Sequence, residues 1–324
     1  MLRAMSHPNA SGPGPDPVAD VTVIVVAYNH QDFVVECLDS IRTQTTRPAR
    51  VLIADDASPD ATAAVIREYL VEHPHAGELH ASTVNKGLNR TLNAMLALVS
   101  TEFVTYIAAD DYMLPPRIER HTELLRNAPA HAVLAYSDAI VVDEHGAIRD
   151  GSSRTEFPWP EEPRRSHATQ AELVERNWIP AASFFLRTAE LKRAGGYLEG
   201  IFFEDYELLL RLSRDHTFVY TQEPLVAVRR LSTSLGATGF VTDSPRFIRA
   251  SYAALSNAVG RGGEAEQLAL PKVWELARRA TAAGLPRSER IRMAWESRGG
   301  APTPGSLAKG LVQAVTASAQ ERQA

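Results

Sequence analysis

Residues Val21 to Ala27 read VTVIVVA, an unbroken run of β-branched and small apolar side chains. Such a run does not alternate between polar and apolar, so it suits a strand covered on both faces. A sheet buried on both sides needs helices above and below it. The following residues supply them: after Tyr28-Asn29-His30, Val34, Val35, Leu38 and Ile41 recur at helical spacing. Val51 to Ala54 (VLIA) repeats the buried-strand pattern, and Ser58 with Pro59 reads as an N-cap and first helical residue, with Ile66, Tyr69 and Leu70 facing the core. Leu88, Leu92, Met95, Leu96 and Val99 mark a further amphipathic helix. Phe103 to Ala108 (FVTYIA) is a third buried strand, and Ile118 to Leu125 another helix. Strand alternating with helix predicts an α/β fold with a mostly parallel, doubly wound central sheet. Ligands of such sheets bind outside the carboxyl ends of the strands.

The rest of the 324 residues divides on composition. Residues 1–19 are rich in Pro, Gly and Ser, lack an apolar stretch of signal-peptide length, and read as a disordered leader. Ala132 to Tyr136 and Ala139 to Val142 read as short strands, and Asp150 to His167 as a polar, Pro-rich surface loop. Residues 20–238 form the expected sheet domain. Residues 239–324 are Ala- and Arg-rich with helical periodicity, a C-terminal extension in which Trp274, Leu276 and Ile291 would anchor the helices on the sheet domain or on a second copy of the chain.

A net charge of -5 gives no basic footprint for nucleic acid. No stretch approaches the ~18 apolar residues that span a bilayer. The lone cysteine, Cys37, forms no internal disulfide, and a cytoplasmic setting is the expectation. Ten histidines lack metal-ligand spacing, which speaks against a zinc site, and His121 reads as a helix surface residue. Neither a phosphate-binding GxxxxGK[ST] nor a strand-borne GxGxxG is present, so ATP hydrolysis and dinucleotide redox chemistry lose support. Trp159 and Trp178 read as packing residues before they read as sugar-stacking ones.

The acids sit where the strand rule directs attention. Asp55 and Asp56 follow the second strand, and Asp110 and Asp111 follow FVTYIA. Each pair alone reads equally well as turn chemistry. Two adjacent carboxylates repel, and a nearby cation relieves that repulsion; carboxylates with phosphate oxygens suit Mg2+ or Mn2+. A third acidic pair, Glu204-Asp205, opens the apolar run Leu208 to Leu212, where it reads either as a helix-terminal charge or as a general base.

In this order, VTVIVVAYNH, VLIADDASPD, NKGLNRTLN, YIAADDYMLP and FFEDYELLLRL resemble the motifs of family 2 glycosyltransferases with a GT-A fold, over Val21 to Leu235. The resemblance implies an inverting transfer from a nucleotide-diphosphate sugar to an acceptor hydroxyl, dependent on Mg2+ or Mn2+. It implies nucleotide contacts at Ala27, Tyr28, Asn29, Asp56, Asn85 and Gly87. It implies metal binding by Asp110 with Asp111, a catalytic base at Asp205 beside Glu204, and donor-phosphate contacts from Arg229 and Arg230 in Arg229 to Ser234. The acceptor is a glycan, a lipid-linked precursor or a natural product.

Three positions depart from the family pattern: Ala108 replaces the first acid of the DXD motif, Leu92 replaces a frequent Arg, and Leu231 replaces a metal-binding His. These departures support a rival reading as a non-catalytic nucleotide-sugar-binding protein. A sugar nucleotidyltransferase needs a Gly-rich, basic loop after the first strand, and AYNHQDF has neither feature.

Overall fold

A computed structural model describes residues 18–161, 169–232 and 241–298. The expected leader, the end of the Asp150 to His167 loop, Thr233 and Ser234 of the phosphate-loop expectation and the 238/239 boundary lie wholly or largely outside those residues.

Strand β1 (Val18–Ala27) is followed by α1 (Val34–Arg42), β2 (Arg47–Asp55), α2 (Thr62–Glu72), β3 (Glu78–Ala81), α3 (Leu88–Leu98) and β4 (Phe103–Ala108). These four strands are parallel, in the spatial order β3-β2-β1-β4. The chain moves outward from β1 to β3 and then returns across to the other side of β1. This reversal opens a crevice between the ends of β1 and β4. The pairings Ala27 with Asp55 and Val26 with Ala108 bring the three strand ends level. Burial explains the run: Val21, Val23, Ile24 and Val25 are all at most 1% exposed. Each such side chain contributes roughly 1.5–3 kcal/mol of transfer free energy.

Beyond β4 the sheet mixes directions. Strand β5 (Tyr112–Met113), α4 (Arg117–Asn127), β6 (Ala132–Val142) and β7 (Ile148–Asp150) precede α5 (Gln170–Glu175), β8 (Phe185–Arg187) and α6 (Thr188–Arg193). Then come α7 (Glu204–Leu212) and β9 (Thr217–Arg229). The order continues β4-β8-β6-β9-β5, with β8 antiparallel to both neighbours and β6 parallel to β9. The parallel pattern therefore holds for the first half and gives way to a mixed sheet in the second. The two short strands expected over 132–142 are one strand with a bulge at Asp138.

Several local expectations change for physical reasons. Helix α2 starts at Thr62, because the Ser58 hydroxyl donates to the Asp55 carboxylate and accepts from Asn29 N. Val35 is exposed and Cys37 takes its place on the buried face of α1. His121 is fully buried and packs on the Phe185 ring, so it is no surface residue. One turn earlier on α4, Arg117 is also fully buried and donates to the Thr105 hydroxyl at 2.7 Å. Trp159 and Trp178 both pack around Tyr136, in keeping with the packing expectation.

The C-terminal helices α8 (Pro245–Leu255), α9 (Gly263–Ala282) and α10 (Arg287–Glu296) share one hydrophobic cluster with the sheet. Ile248, Val273 and Met293 join Leu208, Leu209, Ile24 and Leu52 in it. Leu276 is buried there, while Trp274 and Ile291 are partly exposed. No helix among the described residues is long and apolar enough to cross a membrane.

Candidate active site and its relatives

The crevice is built from three strand ends and one helix start. At the end of β1, Ala27 is buried while Tyr28 and Asn29 face outward. Asn29 has φ 62° and Ala57 φ 61°. Asparagine tolerates that left-handed backbone, whereas alanine there costs roughly 1–2 kcal/mol. Both residues flank the crevice, so the strain sits where the loops meet. The two loops lock together: Asn29 N donates to Ser58 Oγ at 3.0 Å and His30 N to Thr62 Oγ1 at 2.9 Å.

Asp55 is spent on its own turn, bonded to Ser58 N and Oγ. Asp56 is different. Its two carboxylate oxygens accept the backbone N–H groups of Lys86 at 2.9 Å and Gly87 at 2.8 Å. A carboxylate offers about four lone-pair sites, so acceptor capacity remains for a ligand. Asn85 Oδ1 also accepts from Gly87 N, at 3.0 Å. Gly87 has φ 83°, a conformation that glycine adopts freely and that turns the chain into α3. Its open side leaves room for a close approach.

Past β4, Asp110 and Asp111 are nearly buried, at 8% and 9% exposure. Burial, reinforced by the Asp110 charge, pushes the Asp111 carboxyl well above the usual range. Arg229 organises this turn. Its backbone N–H donates to Asp111 Oδ1 at 2.8 Å, and its Nε donates to the Asp110 carbonyl at 2.9 Å. The remaining guanidinium nitrogens meet the Asp143 carbonyl and the Glu36 carboxylate, and the group lies 4.9 Å above the Phe33 ring. Arg229 is thus a buried clamp with every guanidinium nitrogen engaged, and the expected phosphate contact would compete with those bonds. Arg230 is the more accessible cation, ion-paired with Glu156. The carboxylate pair itself lacks a side-chain guanidinium partner among the described residues. Two buried acids with one backbone donor between them fit a divalent cation, with nucleotide phosphates completing its shell. No group of three or more His, Cys, Asp or Glu with metal-site geometry occurs among the described residues.

Glu204 and Asp205 open α7 in a different setting. Tyr106, on β4 four residues before Asp110, donates its hydroxyl to Glu204 Oε1 at 3.1 Å. Asn177 Nδ2 approaches Asp205 Oδ2 at 3.4 Å. Burial, then the Asp205 charge, pushes Glu204 up to about 8. Burial likewise raises Asp205 to about 6. Both carboxyls are thus pushed up by burial, Glu204 further than Asp205.

Four residues at this site have no role in the sequence reading. Asn89 donates to the carbonyls of Leu198 and Ile201, the latter at 3.0 Å. Asn93 exchanges two hydrogen bonds with Tyr197, each 2.8 Å. These asparagines, four apart on α3, fasten the loop that leads into Glu204. Asparagine in a helix interior is a weak former, which is the signal that tertiary bonds hold it there. Asp138, fully buried in its bulge, accepts from Ser152, Ser153 and Ala139 and pairs with Arg154 at 2.9 Å. His30 stands beside Asp110. Leu92 is fully buried in the core, so a long cation at that position would not reach the crevice from this helix face. A half-open cleft of about 300 Å³ lies elsewhere, lined by Glu161, Glu172, Glu175 and Trp178.

Comparisons agree with this architecture. The chain spans about half the length of the curated relatives it first matches. An uncharacterized Mycobacterium tuberculosis protein is 28% identical over 169 residues, 52% of this chain and 46% of that one. The Rhizobium meliloti succinoglycan biosynthesis protein ExoO is 28% identical over 165 residues, 51% of this chain and 44% of that one. Among solved structures, Staphylococcus aureus TarS 1–349 in complex with UDP-GlcNAc superposes with a TM-score of 0.58 at 15% identity, covering 85% of this chain and 78% of that one. The Pyrobaculum calidifontis mannosyltransferase PcManGT, in complex with GDP-Man and Mn2+, gives 0.57 at 17% identity, covering 95% and 84%. These likenesses establish the GT-A fold, with its mixed sheet and helical C-terminal part. Residues 22–186 match the sequence profile described as Glycosyl transferase family 2. With half of the chain inside that profile, this protein belongs to glycosyltransferase family 2.

Proposed function

We propose that the chain transfers a sugar from a nucleoside-diphosphate donor to an acceptor hydroxyl, with inversion at the anomeric carbon. One observation carries the reading: Tyr106 of β4 bonds Glu204, so the strand that ends in the Asp110 turn also anchors the helix that starts with Asp205. Donor phosphate and acceptor hydroxyl would meet between those two ends.

In this reading Asp56, Asn85 and Gly87 border the base, and Tyr28 and Asn29 border the ribose. Asp110 and Asp111 hold a divalent cation, Mg2+ or Mn2+, which when bound offsets charge on the departing diphosphate. Asp205 takes the proton of the acceptor hydroxyl as that oxygen attacks. Glu204, protonated and held by Tyr106, presents no competing charge beside it. Arg230 is the cation that faces the diphosphate. The rival, a protein that binds the nucleotide sugar without turning it over, has no use for a carboxyl raised into the base range.

Thermal unfolding with UDP, GDP, dTDP, ADP and CMP, each with and without Mn2+, tests the donor site. One diphosphate is expected to raise the midpoint only with Mn2+. No shift with any nucleotide under either condition would remove the donor assignment. Release of nucleoside diphosphate by the wild type but not by Asp205→Asn separates catalysis from binding alone. The chain fits a cytoplasmic enzyme acting on a glycan, lipid-linked or natural-product acceptor.

A further inference from the structure

The C-terminal part of the chain differs in charge from the rest. Residues 245–324 carry twelve Lys and Arg against six Asp and Glu, a net of +6. The chain as a whole carries -5, so residues 1–244 carry -11. A basic segment on an acidic protein directs attention to an anionic partner.

Two stripes on α9 and α10 turn that charge outward. Trp274 and Arg278 are four residues apart on α9, and Arg287 and Ile291 four apart on α10, so each pair shares one helix face. The Arg298 guanidinium, just past α10, lies 5.8 Å over the Trp274 ring and joins the two stripes. The three arginines are exposed, and Trp274 and Ile291 are partly exposed. Glu275 pairs with Arg278 at 3.0 Å, but both side chains are 51% exposed, and such a pair holds little energy in water. Neither Arg287 nor Arg298 has an ion-pair partner among the described residues. A half-exposed indole among outward guanidinium groups suits a boundary that is apolar on one side and anionic on the other. A second copy of the same face would bring like charges together.

We propose that the α9–α10 face docks on an anionic phospholipid surface. Trp274 and Ile291 enter the headgroup layer, and Arg278, Arg287 and Arg298 meet the lipid phosphates. The docking stands apart from the function proposed above; its consequence for acceptor choice rests on that function. Helices α8 to α10 share one packed body with α7. Arg246, in the first turn of α8, lies 4.8 Å over the Phe202 ring, two residues before Glu204. A docked enzyme would therefore hold its base close to the membrane, which favours the lipid-linked precursor among the acceptors named above.

The full chain is mixed with phosphatidylcholine vesicles, with or without about 30% phosphatidylglycerol, and partition is read by cosedimentation. Binding is expected only with phosphatidylglycerol, and about 0.5 M NaCl should release it. Of the four tryptophans, Trp159, Trp178 and Trp295 are buried, at 9%, 2% and 8% exposure. Brominated lipid should therefore quench Trp274 fluorescence alone, and Trp274→Phe should remove the quenching while the protein still binds. The double variant Arg287→Glu with Arg298→Glu should partition at least about tenfold more weakly, with its unfolding midpoint little changed. Wild type that stays in solution with phosphatidylglycerol vesicles overturns the proposal. So does bound protein without quenching, or equal partition of the double variant. Self-association that the double variant loses, in a protein that ignores vesicles, gives the face to a second copy instead. Vesicle binding with no release of nucleoside diphosphate from any donor keeps the docking and overturns the proposed function.

Discussion

Two acidic pairs, one after β4 and one at the start of α7, are built in opposite ways. Asp110 and Asp111 lie in a turn held by backbone donors, with the Arg229 and Arg230 cations nearby. Glu204 and Asp205 lie among aromatic rings, with Tyr106, Tyr197 and Tyr206 around them and a tyrosine hydroxyl and an asparagine amide as their side-chain partners. Burial raises Asp111 in the first pair and both carboxyls in the second. The first setting, polar and short of one positive charge, suits a metal ion. The second, lined by aromatic rings, suits a proton. Identical functional groups thus acquire different chemistry from what surrounds them.

The largest expected effect would break the pair comparison outright. Asp205→Asn should lower the turnover rate by about 10²–10⁴-fold while leaving the nucleotide-dependent rise in unfolding midpoint intact. Asp110→Ala should abolish the Mn2+-dependent rise and the turnover together. Similar behaviour of the two variants would mean that the two sites do not divide the work.

Arg229→Ala probes the clamp. Removing a buried cation with several partners should cost about 3 kcal/mol of stability in urea unfolding. It should also weaken Mn2+ binding, because the Asp110 turn loses its fixed shape. An effect on activity without one on stability would restore the phosphate role.

The aromatic setting sets a pH dependence. Asp205 must be ionised to act, so turnover should rise with pH through about 6. Glu204 binds its proton more tightly folded, at about 8, than unfolded. Its contribution to stability is full below the ordinary glutamate range and is lost as pH rises toward 8. Glu204→Gln should therefore become more stable relative to wild type between pH 5 and 8, on the order of 1–3 kcal/mol. A pH-independent difference would show that burial does not hold the proton.

The smallest effect concerns the tie between regions. Asn93→Ala removes two hydrogen bonds to Tyr197 and should cost about 1–2 kcal/mol. It should lower kcat more than it raises the donor KM, because the loop it fastens leads to Asp205. The reverse pattern would place Asn93 on the donor side.

Much of this was legible in the residues. The β-branched run, the amphipathic helices and the acids after each strand are local signals, and the fold honours them over Val21 to Leu125. What was hidden depends on partners far along the chain. Asn89 meets Ile201, and Arg229 meets Asp110, and no local periodicity encodes either contact. Ser58 shows the same limit at short range, since its hydroxyl preferred Asp55 to a helix end. His121 and Arg117 look polar on a helix wheel, yet α4 buries both under the sheet. The bend from a parallel to a mixed sheet likewise rests on β8, three residues long, which carries too little pattern to announce its direction.

The cluster shared by sheet and C-terminal helices bears on how such a protein can be altered. Leu208 and Leu209 lie behind the Glu204-Asp205 end of α7, and Ile248 and Val273 lie in the same packed body. Asn257 reaches back to Glu207, one turn past Glu204. A chain ended after β9 would present that apolar seam to water, so the last helices act as a keel for the helix that carries Glu204 and Asp205. Swapping them between relatives to change acceptor choice would therefore transmit a mechanical disturbance to Asp205, and grafts that respect the α7 to α8 seam are the ones that keep a working catalyst.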